Sequence, residues 1–79
     1  MAAAYVLINT SPGKTGDAHK EMEQLAGVRS AHVVTGAYDI IVFIEGADIS
    51  ELGNRVVSHI QSIDGVMQTM TCVVVELPG

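Results

Sequence analysis

The sequence has no tryptophan, one cysteine, two prolines and four basic residues among its 79. Each scarcity removes a class of protein. A single thiol, Cys72, cannot form an intrachain disulfide. The three histidines, His19, His32 and His59, share no close spacing with one another or with Cys72, so no zinc motif of the CxxC or HxxxH kind exists. Lys14, Lys20, Arg29 and Arg55 are scattered against nine acidic residues, for a net charge of −5. Phosphate-backbone binding needs clustered Lys and Arg, so direct nucleic-acid binding is excluded as an expectation. No apolar run approaches the roughly 18 residues that would cross a membrane. Residues 1–5 lack the basic and apolar regions of a secretory signal. The unpaired cysteine fits a reducing compartment, and a cytoplasmic location is expected.

What is present is apolar: 48% of residues are hydrophobic and only 16% are charged, which excludes intrinsic disorder. The length predicts one domain over residues 1–79. A domain this short buries only about 60–65% of the surface of its unfolded chain, so its stability is marginal without help. With disulfide and metal set aside and no cofactor indicated, partner subunits are the remaining supplement.

The pattern of residues predicts six elements. Tyr5 to Asn9 reads as a strand. Pro12 and Gly13 occupy the central positions of a type II turn. Thr15 is a candidate cap for a helix running to about Ala26, with Ala18, Met22 and Leu25 on one stripe. Val28 to Val34 and Asp39 to Glu45 read as strands of a hairpin. Asp48, with Glu51 three residues on, signals a capped helix to about Ile63, its stripe formed by Ile49, Leu52, Val56, Ile60 and Ile63. Val66 to Leu77 is the last strand. A weak repeat with an offset of 38 residues matches Leu25-Ala26-Gly27-Val28 to Ile63-Asp64-Gly65-Val66. Two such βαβ halves predict an α+β, ferredoxin-like βαββαβ sandwich, a four-stranded antiparallel sheet with both helices on one face.

Two helices cover only one face of that sheet, yet both faces are apolar. Tyr5, Leu7, Ile41 and Phe43 alternate with Val6, Ile8, Ile40, Val42 and Ile44. A solvated face would show polar residues at every second position. A second copy packed sheet against sheet is the simplest cover, so a homodimer is expected.

Chemistry-bearing motifs are sparse. Gly13-Lys14-Thr15 resembles the end of a phosphate loop, but Ile8 stands where the loop requires glycine. His19 and His59 are placed on outer helix faces, and Cys72 inside an apolar strand as inert packing. No nucleophile has a base beside it, so no enzyme activity is expected. The segment Thr35-Gly36-Ala37-Tyr38-Asp39 is more informative. Its glycine permits close approach of a ligand to backbone N–H groups, and Asp39 is able to accept from an ammonium group. Ordinary turn chemistry, with Asp39 bonding its own loop, explains the same residues. Thr69 and Thr71 place two hydroxyls on one face of the last strand. They suit cross-strand pairing and also suit a ligand pocket.

Taken together, Tyr5-Val6-Leu7-Ile8, Gly13-Lys14, Gly27-Val28, Thr35-Gly36-Ala37-Tyr38-Asp39, Ile63-Asp64-Gly65-Val66, Thr69-Met70-Thr71 and the closing Val74-Val75-Glu76-Leu77-Pro78 resemble the effector-binding (RAM) domain of the Lrp/AsnC family. The resemblance implies dimers formed through the sheet faces, assembling further into rings such as octamers. It implies small-molecule sites, usually for amino acids, between subunits. Here their residues would be Thr35, Gly36, Ala37, Tyr38, Asp39, Thr69 and Thr71. Amides near Gly36 would hold a carboxylate; Asp39 or a threonine hydroxyl would hold the amine. The family's full-length regulators carry a helix-turn-helix domain that the sequence, with its first strand within five residues of Met1, is expected to lack. The expected function is a stand-alone amino-acid-binding module that self-assembles and modulates transcription or amino-acid metabolism indirectly. Two other readings stand beside it. One is a structural adaptor that co-assembles with a full-length Lrp/AsnC regulator. The other is a small dimeric monooxygenase of the same fold.

Overall fold

The computed structural model describes residues 1–78. Its elements are β1 (Ala2–Thr10), α1 (Thr15–Glu23), β2 (Val28–Val33), β3 (Ile40–Gly46), α2 (residues 49–61) and β4 (Val66–Val73). The strands form one sheet in the order β2-β3-β1-β4, with every neighbouring pair antiparallel. This is the ferredoxin-like arrangement that the element order predicts.

The core lies between one face of the sheet and the two helices. Ala4, Val6 and Ile8 of β1 lie opposite Ile44, Val42 and Ile40 of β3, and all six are fully buried. Ala18 and Met22 of α1 and Leu52, Val56 and Ile60 of α2 close over them, joined by Ile63. Each large aliphatic side chain buried in this way contributes about 1.5–3 kcal/mol.

The repeat of 38 residues has a structural counterpart. Gly27 and Gly65 both take positive φ, at 92° and 94°. After each helix the same turn closes: the Val28 N–H donates to Leu25 O at 3.2 Å, and the Val66 N–H donates to Ile63 O at 3.1 Å. The predicted type II turn is also present, with Gly13 at φ 81° and the Lys14 N–H donating to Ser11 O at 3.0 Å.

Several boundaries differ from the expectation. β1 starts earlier because Ala2 and Ala3 find partners in Gly46 and Glu45. α1 ends at Glu23, not Ala26. β4 ends at Val73, not Leu77: β1 itself begins at Ala2, so after the Val74 N–H donates to Ala3 O the strand has no further partner. Thr15 does not cap α1; Lys14 occupies that position without a side-chain cap bond. Asp48 does cap α2, its Oδ1 accepting from the Glu51 N–H at 2.8 Å, while Glu51 Oε1 accepts from the Ala47 N–H at 3.0 Å.

The second helix is not α-helical throughout. An α turn at Ile49–Glu51 passes into a π-helical stretch, Leu52–Val57, and returns to α at Ser58–Gln61. Leu52, Val56 and Ile60, spaced by four, all become buried. Ile49 drops out of the expected stripe and is 63% exposed, bordering an open groove with Met1, Val73 and Val74. His19 is not on an outer face: its Nε2 lies 2.8 Å from Ala31 O, against β2. Cys72 is exposed rather than packed inside the sheet.

Candidate functional site

The second face of the sheet carries no helix. Antiparallel partners share a face. The register therefore lays Ser30, Phe43, Tyr5 and Cys72 in one row, and His32, Ile41, Leu7 and Met70 in the next. Tyr5 and Phe43 rings pack at 4.9 Å between centroids, tilted by 46°. Tyr5 remains 47% exposed and Met70 52%. The surface is mostly apolar and open, as the alternation predicts.

The segment 34–39 joins β2 to β3 at one end of these rows. It begins and ends on backbone bonds: the Val34 N–H donates to Asp39 O at 2.9 Å, and the Asp39 N–H to Ile8 O at 2.9 Å. Between them Gly36 has φ 120°, a conformation that L side chains avoid, and no atom lies within 4 Å of where a β-carbon would stand. Thr35, Gly36 and Ala37 are exposed, and Tyr38 and Asp39 are half-buried.

The Ala37–Asp39 end of the segment is held by β1. Asn9 Nδ2 donates to Ala37 O at 3.0 Å. Asp39 Oδ2 accepts from the Thr10 N–H at 2.8 Å and from the Thr10 hydroxyl at 3.3 Å. The Asp39 side chain thus reaches across to β1 instead of bonding within its own turn. Tyr38 projects over the helix-free face, where its hydroxyl donates to Met70 Sδ at 3.7 Å. A recess of about 210 Å³ opens there, lined by Asn9, Tyr38, Gln68, Thr69 and Met70. Small-molecule pockets usually measure about 300–1,000 Å³, so the recess of a single chain is smaller than such a pocket.

Thr69 and Thr71 are placed differently from the loop. They pair with Ile8 and Val6, so both side chains belong to the helix-bearing side of the sheet. Thr69 Oγ1 accepts from Gln61 Nε2 at 3.0 Å, and Thr71 is exposed. A single chain therefore gathers Thr35 to Asp39 and sets Thr69 beside Tyr38 at the recess, with the Thr69 hydroxyl bonded to Gln61 and Thr71 outside the recess lining. Asn9, Thr10 and Met70 join the loop without having been picked out by motif. The signal for Thr10 was a polar residue continuing the apolar alternation of Ala4, Val6 and Ile8.

A larger groove, about 690 Å³, lies beside Met1, Ala47, Ile49, Val73 and Val74. It sits at the Ala2 end of β1, roughly 20 Å along the strand from Asn9. Its Asp48 is already committed to capping α2. Among the described residues no group of three His, Cys, Asp or Glu could hold a metal ion, and no helix is long and apolar enough to cross a membrane.

Residues 3–78 match the family model of the Lrp/AsnC ligand binding domain. An uncharacterized HTH-type transcriptional regulator of Pyrococcus furiosus is 39% identical over 74 residues, which are 89% of this chain and 49% of that protein. The chain spans about half the length of the curated regulators it matches. A protein of Thermus thermophilus of known crystal structure superposes with a TM-score of 0.90 at 28% identity, over 100% of this chain and 99% of that one. AsnC of E. coli superposes with a TM-score of 0.87 at 27% identity, over 98% of this chain and 52% of AsnC.

Proposed function

The chain belongs to the Lrp/AsnC ligand-binding domain family, and from that premise we propose that it is a regulatory module that binds an amino acid at the 35–39 segment and assembles through its helix-free sheet face. One observation carries the reading: an open apolar face ends at a glycine-containing loop whose ends are tied down and whose middle is exposed. A second copy laid against the face removes Tyr5, Leu7, Phe43 and Met70 from water, at about 25 cal/mol per Å² of apolar surface covered. It also supplies the wall that the recess beside Tyr38 lacks. Such dimers assemble further into rings, including octamers.

An amino acid offers the loop complementary groups. Its carboxylate suits backbone N–H groups around Gly36, where no side chain obstructs approach. Its ammonium suits Asp39. Both Thr10 contacts fall on Oδ2 of that carboxylate, leaving Oδ1 to face the ligand. Thr69 and Thr71 of a neighbouring copy are the route by which the two hydroxyls join the site. The module acts on transcription in the cytoplasm through assembly, either with itself or with a full-length regulator of the family, and neither touches nucleic acid directly nor catalyses a reaction.

Thermal unfolding against each of the twenty amino acids tests this. A ligand specific to the native assembly raises stability by about 2.7 kcal/mol at a hundredfold excess over its Kd. A selective upward shift, abolished in Asp39→Ala and in Gly36→Val, is the expected result. A flat panel at millimolar concentrations, for a protein that scatters light as a dimer or larger, rejects the amino-acid site and retains assembly alone.

A further inference from the structure

Thr10 is the buried polar side chain among the described residues, at 9% exposure. It continues the β1 stripe of Ala4, Val6 and Ile8, where valine would fill the same shape. A hydroxyl buried without partners costs about 1–3 kcal/mol, so its presence calls for specific bonds. It has two: Thr15 Oγ1 at 2.6 Å and Asp39 Oδ2 at 3.3 Å. An ionised carboxylate only accepts, and a threonine hydroxyl has one proton to donate. Thr10 therefore gives its proton to Asp39 and accepts the proton of Thr15. The direction of the chain, Thr15 to Thr10 to Asp39, is set by the charge at its end.

We infer that Thr10 is a positioning residue for the 35–39 segment, its hydroxyl aligned by Thr15 and holding the Asp39 carboxylate in place. The segment has a particular need of such an anchor. Gly36 adopts many backbone conformations at little cost, and the exposed residues 35–37 have no core contacts to choose among them. Ile8, Asn9 and Thr10 in succession grip the segment at Asp39 N, Ala37 O and Asp39 Oδ2. With the Thr10 hydroxyl in place, a ligand arriving at the loop meets one conformation and does not have to select it. The inference rests on the reading of this segment as the ligand contact, but the anchor itself is measurable without any ligand.

The test compares wild type with Thr10→Val, Thr10→Ser and Thr15→Val by amide hydrogen exchange, and then by thermal shift with each of the twenty amino acids. In Thr10→Val the amides of Val34 and Asp39 are expected to exchange about tenfold faster than in wild type, the consequence of losing a hydrogen bond to a charged group. Ladder amides around Val6 and Val42 change much less. Thr15→Val gives a smaller loosening of the same amides. Thr10→Ser keeps the hydroxyl and restores wild-type exchange at the loop. The amino-acid concentration giving a half-maximal thermal shift rises about tenfold in Thr10→Val and returns in Thr10→Ser. Equal acceleration at loop and ladder, or a serine variant that behaves like valine, overturns the inference, because Thr10 would then serve packing alone. A wild type that responds to no amino acid, with loop amides still selectively freed by Thr10→Val, upholds the anchor and overturns the ligand reading beneath it.

Discussion

Val56 stands so close over Gly27 that a β-carbon at residue 27 would lie 2.7 Å from Val56 Cγ2. The π-helical stretch of α2 brings Val56 down onto the turn that ends α1. Glycine at 27 satisfies two demands at once: the close approach, and a φ of 92°. Gly27→Ala is expected to destabilise the fold by about 2–4 kcal/mol, the sum of backbone strain and overpacking. Adding Val56→Ala should recover part of the loss by removing the clash while leaving the strain. Urea unfolding of the two single variants and the double variant measures the coupling. Strictly additive losses would show that contact with Val56 is not the cause.

The Asp48 cap is the one side-chain cap shown for α2, and it stabilises a helix that begins with a single α turn. Asp48→Ala is expected to cost about 1 kcal/mol, with Asp48→Asn recovering most of it. Chemical unfolding checks both. An alanine variant as stable as wild type would mean that the Glu51 to Ala47 bond holds the turn alone.

Lys14 Nζ donates to Asp64 Oδ2 at 2.9 Å, tying the first turn to the last. The hydrogen bond and charge of Asp64 raise the Lys14 pKa above the ordinary lysine value. A raised folded pKa means that the contribution is complete below the unfolded value and is lost as pH rises through the folded one. The pair is exposed, so its effect is small and screened by salt. Wild type and Lys14→Gln should therefore differ slightly at neutral pH and low salt, and converge above the ordinary lysine range. Unfolding midpoints across alkaline pH, at two salt concentrations, show whether they do.

Leu7 lies in the second row of the helix-free face, between Ile41 and Met70, and outside the buried core. A charge there burdens the proposed sheet-to-sheet contact without entering the interior. Leu7→Glu is expected to reduce the assembly to single chains in sedimentation velocity while preserving the far-ultraviolet circular dichroism of the fold. A Leu7→Glu protein that still associates would place the contact elsewhere, for example at the groove beside Ile49.

Much of this fold was legible in the residues themselves. Alternation along β1 and β3 specifies strands, because side chains switch faces at every residue. The matched Gly27 and Gly65 punctuate two equivalent halves, because both helix ends need a left-handed turn. The resemblance in the loop and closing residues identified the family, and the alternation identified an apolar outer face that no helix covers. The C-terminal end of β4 and the exposure of Cys72 and Ile49 were not legible, since they depend on where a neighbouring element stops or shifts. The π-helical stretch was not legible either, because Leu52, Val56 and Ile60 fit an α-helical stripe equally well and are buried as that stripe predicts. The partner of Asp39 was likewise open. A carboxylate bonding its own turn and one reaching a distant strand gain similar energy, about 1.5–3 kcal/mol for a charged hydrogen bond. Only the antiparallel register, which sets Ile8 against Ile40, brings Thr10 to Asp39. Local sequence chooses among elements by the summed preference of many residues. A single hydrogen bond between residues far apart in the chain is chosen by the tertiary structure that carries them together.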